Sequence, residues 1–207
     1  QASYNQLDVR TTVIGPYTVS HDRAFYGAET SSNDHDTRPN RLAREVMEMI
    51  VDDIDVSQFD NNNDGWVECI HILYAGQGED FPEVTSDAIW PHQSSSSTYV
   101  NGNGAKMSRY MMTPELDKIN CYRGIGTACH ELGHILGAPD FYDNNHAVDG
   151  SFPATGIWDL MSAGNWNSYT NTITSLSPAH PNPYIKTKIF EWATAKELVG
   201  NDKLYTL

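Results

Sequence analysis

The chain has 207 residues, 27 of them acidic and 13 basic, for a formal net charge of −14 at pH 7. A surface of that sign repels phosphate backbones and anionic lipid headgroups, which excludes nucleic acid and membrane surfaces as natural partners. The 39% apolar and 11% aromatic content supplies a core and excludes a disordered chain, while no apolar run approaches the roughly 18–20 residues of a membrane span.

Residues 7–20 alternate with β-branched enrichment and read as a strand pair broken at Gly15-Pro16. From Pro39 to Asp53 the set Leu42, Val46, Met49 and Ile50 recurs at helical spacing and predicts an amphipathic helix. Residues 66–75 are nearly all apolar and predict a central strand, ended by Gly76-Gln77-Gly78. Further strands are expected at Ala88–Pro91 and Lys106–Thr113. Between them lie the Ser94–Ser97 run and Asn101-Gly102-Asn103-Gly104, which read as a hairpin tip or a loop. A helix is expected over about Arg123 to Leu136. Beyond Gly137 the composition turns to Asn, Gly, Ser, Pro and Trp, with a short helix near Tyr184–Ala195 and a strand over Lys203–Leu207. The pattern is α+β, one domain in two lobes. A sheet-and-helix upper lobe covers about 1–137 and a loop-rich lower lobe about 138–207. With no signal peptide visible and abrupt ends at Gln1 and Leu207, the chain reads as a domain excised from a longer precursor.

The most informative stretch is His130-Glu131-Leu132-Gly133-His134-Ile135-Leu136-Gly137-Ala138-Pro139-Asp140. On a helix, His130 and His134 leave the same face about 6 Å apart along the axis, a separation that suits two nitrogens on one Zn²⁺. Glu131 follows the first histidine and can face a water activated by the ion, where a general base belongs. Gly137 lets the chain leave the helix, Pro139 blocks its return, and Asp140 arrives where the extended pattern H-E-x-x-H-x-x-G-x-x-H places a third ligand. Asp143 and His146 are its nearest competitors. The expected chemistry is hydrolysis of internal peptide bonds, with Glu131 taking the proton of the attacking water and passing it to the leaving amine. Substrate is expected to lie extended along a strand edge.

A second metal pattern precedes the apolar strand. Asp60, Asn62 and Asp64 place oxygen donors at loop positions one, three and five, Gly65 stands at six, the Trp66 carbonyl at seven and Glu68 at nine. His71 replaces the glutamate of position twelve, so the expectation is a structural Ca²⁺ loop and not a full EF-hand. Of the other histidines, His92 is the best placed for substrate contact, and Asn165, Tyr169 and His180 are candidate oxyanion donors. Cys69, Cys121 and Cys129 are an odd set, expected as buried free thiols.

The strings HELGHILGAPDFYD (130–143) and IWDLMSAGNWN (157–167), with DNNNDGWVECIHILYAGQGED (60–80), resemble the immune inhibitor A family of secreted bacterial zinc metallopeptidases, which belong broadly with the metzincins. The likeness runs from about residue 7 to residue 195. It implies an upper lobe with a twisted mixed β-sheet, a backing helix and an active-site helix above a small irregular lower lobe. It also implies zinc on His130, His134 and Asp140, Glu131 as base and acid, and Met161 in a Met-turn beneath the metal. Secretion or cell-surface placement, protein or peptide substrates, an N-terminal propeptide and C-terminal modules follow from the same resemblance. Two rival readings use the same residues differently: a zinc amidase or deacylase acting on a small substrate, and a calcium-dependent binding module with a vestigial protease site.

Overall fold

The computed structural model describes residues 2–29, 36–81, 84, 87–117, 121–143 and 154–197. A short helix α1 (Arg23–Gly27) precedes α2 (Pro39–Asp53), which packs behind a three-stranded mixed sheet of β1 (Ile70–Gln77), β2 (His92–Asn101) and β3 (Lys106–Leu116). The strand order is β1-β3-β2, with β1 parallel and β2 antiparallel to β3. The architecture is α+β.

Helix α2 forms over the expected range, with Pro39 in its first turn, where a missing N–H costs nothing. Its buried face is Leu42, Ala43, Met47 and Ile50, so Met47 enters the core in place of the expected Met49. These residues meet Ile72, Tyr74, Met107, Tyr110 and Met112 of the sheet in one apolar cluster.

Several strand expectations are corrected. The central strand is β3, whose burial is continuous from Tyr110 to Pro114. The apolar run at 66–75 instead supplies β1, at one end of this sheet. It begins only at Ile70, and its burial alternates, with Ile72 and Tyr74 inside and Leu73 64% exposed. The strand ends at Gln77, within the expected Gly76-Gln77-Gly78 stop. Gly76, with φ +89°, sits within a register shift between Tyr74 and Gln77, a bulge that glycine accommodates at no steric cost. The serine run is not a separator but part of β2, because Ser94 and Ser95 pair with Tyr110 and Arg109 of β3 and the ladder overrides the weak strand preference of serine. The turn back to β3 is closed by Gly102 N–H donating to the Ala105 carbonyl at 2.9 Å.

Ala88–Pro91 forms no strand, and its backbone is used in single contacts. The Ile89 carbonyl accepts from the Tyr74 hydroxyl at 2.6 Å, and the Trp90 amide donates to Asp36 at 3.0 Å. Residues 7–20 carry no strand either; Ile14, Tyr17 and Val19 lean on the main core. Helix α3 (Gly126–Ile135) starts later than expected, because Arg123 is engaged elsewhere: its amide reaches the Glu115 carbonyl and its guanidinium pairs with Asp80. The helix expected near 184–195 is a single π-helical stretch, Ile185–Ile189. It packs with Ala138, Leu160 and Met161 in a second apolar cluster under α3. All three cysteines are free, but Cys121 is exposed where burial was expected. The strand expected at Lys203–Leu207 lies outside the described residues. Among those residues no helix is long and apolar enough to cross a membrane.

Candidate metal centre

Helix α3 carries His130 and His134 one turn apart, and Gly137 (φ +97°) releases the chain so that Asp140 folds back toward them. Three atoms then converge. His130 Nε2 and His134 Nε2 are 3.1 Å apart, and each lies 3.2 Å from Asp140 Oδ1. Ligands about 2.0–2.1 Å from one tetrahedral ion stand roughly 3.3–3.4 Å from one another, so the triangle is close to that size.

The proton inventory says what this triangle needs. His130 Nδ1 is 2.9 Å from the Leu160 carbonyl and His134 Nδ1 is 2.8 Å from the Ala138 carbonyl. A carbonyl only accepts, so both Nδ1 atoms carry the proton and both neutral rings turn an Nε2 lone pair inward. Asp140 Oδ1 is buried and receives no hydrogen bond. Three acceptors therefore face one point without a donor among them, an arrangement that a cation satisfies and a proton network does not. Among the described residues this is the one group of three His, Cys, Asp or Glu ligand atoms within 4.8 Å of one another.

The charges respond accordingly. Burial works to raise the Asp140 carboxyl, but a proton taken up by the imidazoles beside it overcomes that and holds the group well below the usual carboxylate range. Burial likewise works to lower His134, while the neighbouring Asp140 carboxylate and the Ala138 carbonyl raise it. Glu131 is 5% exposed and makes no contact that offsets its burial fully; desolvation pushes it up to about 6, against the pull of both histidines. Replacing Asp140 with alanine removes the single anionic member of the triangle. The expected result is loss of stoichiometric metal from a protein that retains its helix content, read by metal analysis after dialysis; full retention would place the third ligand elsewhere.

The floor of the site comes from the segment after residue 154. Met161 is fully buried, and a Cβ placed on Gly133 would stand 2.5 Å from its sulfur, so glycine is required for the thioether to lie against α3. The preceding Leu160 supplies the carbonyl that orients His130. Asp159, fully buried, holds this turn: its carboxylate accepts from Thr155 Oγ1 at 3.0 Å, Met161 N at 3.3 Å, Asn182 N at 3.0 Å and Asn182 Nδ2 at 2.7 Å. No spacing rule singled out Asp159, because every donor except its near neighbours comes from a distant loop. Tyr142, whose ring is stacked on His130 at 6.3 Å, also went without a role in the sequence, although it stands two residues past Asp140.

The remaining candidates are placed as follows. Asp143 does not join the triangle, and His146 lies outside the described residues. Asn165 is buried against the start of α3, Tyr169 is exposed, and His180 faces Lys186 at 3.2 Å beside a cavity of about 430 Å³ lined also by Trp158 and Pro183. None of the three hydrogen-bonds a member of the triangle. His92 is tied to the Trp90 carbonyl at 2.7 Å and to the Tyr110 hydroxyl at 3.3 Å.

The Asp60–Glu68 loop closes on its own backbone. Asp60 accepts from Asp64 N (3.0 Å) and Gly65 N (2.9 Å), Asn62 from Asp64 N (2.9 Å), Asp64 from Trp66 N (2.9 Å), and Glu68 Oε1 from Asn61 N (2.8 Å). Glu68 Oε2 is buried without a partner, and His71 points instead to Thr113 at 2.7 Å.

Known proteins resemble the chain over most of its length. The model of the family described as immune inhibitor A peptidase M6, catalytic domain, matches residues 1–193. Immune inhibitor A of Bacillus thuringiensis subsp. alesti is 29% identical over 230 residues, covering 96% of this chain and 32% of that protein. Pre-pro-metalloprotease PrtV of Vibrio cholerae serotype O1 is 27% identical over 193 residues, covering 79% of this chain and 20% of that protein. The chain thus spans a third or less of the length of these relatives. With that family model matching residues 1–193, the chain belongs to the immune inhibitor A peptidase M6 family.

Proposed function

We propose that this chain is the catalytic portion of a secreted or cell-surface zinc-dependent endopeptidase that hydrolyses internal peptide bonds of proteins. One observation carries the reading: two imidazole lone pairs and an undonated carboxylate oxygen meet within 3.2 Å, beside a buried glutamate. Family membership supports it, as does the name metalloprotease given to PrtV of Vibrio cholerae. Two neutral imidazoles with one carboxylate are one of the donor sets of catalytic zinc sites.

Zn²⁺ bound there would acidify a water and polarise the scissile carbonyl. Glu131, held on the helix between the two ligands, takes a proton at its carboxylate and returns it to the departing amine. His130 and His134 are kept in one tautomer by the Leu160 and Ala138 carbonyls, so no ring reorientation accompanies metal loading. Met161 is read as the Met-turn, supporting the triangle from below through packing, and residues before and after about 137 as an upper and a lower lobe around the site. A propeptide and C-terminal modules complete the precursor in this reading.

The deciding experiment supplies the chain with Zn²⁺ and an unfolded protein substrate, then identifies the new termini by mass spectrometry, with 1,10-phenanthroline as control. Internal cleavage that is lost on chelation and restored by Zn²⁺ is expected. Zinc binding with turnover of small amides only would make it an amidase, and no turnover at all would leave a binding module.

The Asp60–Glu68 loop is read as a structural Ca²⁺ site using Asp60, Asn62, Asp64, the Trp66 carbonyl and Glu68, whose Oε2 has no other partner. Ca²⁺ at 100 times its dissociation constant would stabilise the fold by about 2.7 kcal/mol. The thermal midpoint is expected to rise with Ca²⁺ and fall with EGTA at constant zinc; an unchanged midpoint removes the site.

A further inference from the structure

Two consecutive carbonyls support the triangle from outside. The Leu160 carbonyl accepts from His130 Nδ1 at 2.9 Å. The Met161 carbonyl accepts at 2.7 Å from the Phe141 amide, the first peptide N–H after Asp140. The turn at residues 159–162 therefore orients one ring directly and anchors the backbone that bears the carboxylate ligand. Apolar packing of Met161 cannot aim these carbonyls, because such contacts have no preferred direction. Their aim has to come from hydrogen bonds made to the turn itself.

Asp159 makes them. Its Oδ1 accepts from Met161 N at 3.3 Å and Asn182 N at 3.0 Å, and its Oδ2 from Thr155 Oγ1 at 3.0 Å and Asn182 Nδ2 at 2.7 Å. All four partners donate, so this fully buried group acts only as an acceptor, as a carboxylate does. The loop bearing Asn182 closes on the turn a third time, where Leu160 N donates to the His180 carbonyl at 3.2 Å. Thr155 extends the hold toward Asp140. Its single hydroxyl proton goes to Asp159, which is nearer than the Phe141 carbonyl at 3.3 Å, while its amide reaches that carbonyl at 3.4 Å.

We propose that Asp159 is a positioning residue of the metal centre, one buried carboxylate that aims the Leu160 carbonyl at His130 and the Met161 carbonyl at the segment of Asp140. The proposal rests on the triangle being a metal site. It gives a residue outside the ligand set a share in metal affinity, exerted on two ligands at once and in partnership with Asn182. Asn182 Oδ1 accepts from Ile185 N at 3.0 Å, which fixes the Nδ2 end of that amide toward Asp159.

The fixed amide makes a reciprocal exchange possible. Asp159→Asn keeps the size of the side chain but sets an NH₂ group against donors. Adding Asn182→Asp restores the match, because a carboxylate at 182 accepts from the amide at 159 and still accepts from Ile185 N. The affinity of the metal-free chain for Zn²⁺ and Co²⁺ is measured by chelator competition, with the visible spectrum of the Co²⁺ form as a second readout. Asp159→Asn is expected to bind about 10–100-fold more weakly with an altered Co²⁺ spectrum. The double exchange should recover most of the affinity and the parent spectrum. Thr155→Val, which removes one donor at nearly constant shape, should weaken binding by a smaller factor. Parent-like affinity and spectrum in Asp159→Asn, or in Thr155→Val should the former not fold, overturn the assignment and leave the metal site standing. So does a double exchange that regains the thermal midpoint of the metal-free protein without regaining affinity. Failure of the parent chain to bind either ion removes the metal site, and the role of Asp159 with it.

Discussion

Glu131→Gln is expected to lower peptide cleavage by about 10²–10⁴-fold, the usual contribution of a positioned acid–base group, without changing metal content. The amide keeps the size of the side chain and cannot accept a proton from water. Because the residue is not a member of the metal triangle, His130, His134 and Asp140 remain in place. The same group predicts the acid limb of activity. Burial raises Glu131 to about 6, so the carboxylate required to receive a proton exists above that value and is lost as pH falls through it. Activity should therefore drop with acidification, a bound cation beside Glu131 moving the midpoint below that value, measured as initial rates at saturating Zn²⁺. A Gln variant that cleaves within about tenfold of the parent would assign the proton transfer to another group.

The second large effect concerns stability. Arg123 and Asp80 form a two-pronged ion pair with side chains only 2% and 4% exposed, one bond measuring 2.9 Å between Arg123 Nη1 and Asp80 Oδ1. The guanidinium lies over Phe81 at 4.8 Å and Trp166 at 5.2 Å, and those rings meet edge-on at 5.4 Å. The pair thus ties the segment after β1, the entry to α3 and the turn that follows Met161. Removing one partner leaves the other charge buried and uncompensated, so Arg123→Met is expected to cost about 3–5 kcal/mol in denaturant unfolding. Adding Asp80→Leu to that variant removes the stranded charge and should recover much of the loss, because two apolar groups of similar volume can replace a buried pair. A double variant no more stable than Arg123→Met would place the cost in packing and not in charge.

The relation between residues close along the chain was legible in the sequence. The helical period brought His130 above His134, the glycine at 137 adopted the left-handed conformation its place implied, and the amphipathic pattern from Pro39 to Asp53 became α2. What failed was any inference that depended on a partner far along the chain. A serine-rich stretch became β2 because β3 offered it a ladder, and the apolar run at 66–75 took a place beside β3 when continuous burial alone read as central. Helix α2 buried Met47 and not Met49, a choice made by where the sheet stood.

The metal triangle divides along the same line. Spacing alone indicated which side chains belong near one another. The tautomer of His130 depends on a carbonyl 30 residues away, the turn bearing that carbonyl depends on Asp159 and Asn182, and the direction of Asp140 depends on Phe141 being held by Met161. Hydrogen-bond donors and apolar cavities act over a few ångströms in space with no regard to chain separation. A periodicity measured along the sequence therefore records the backbone geometry of one element, and only the folded chain determines which lone pair is left facing inward.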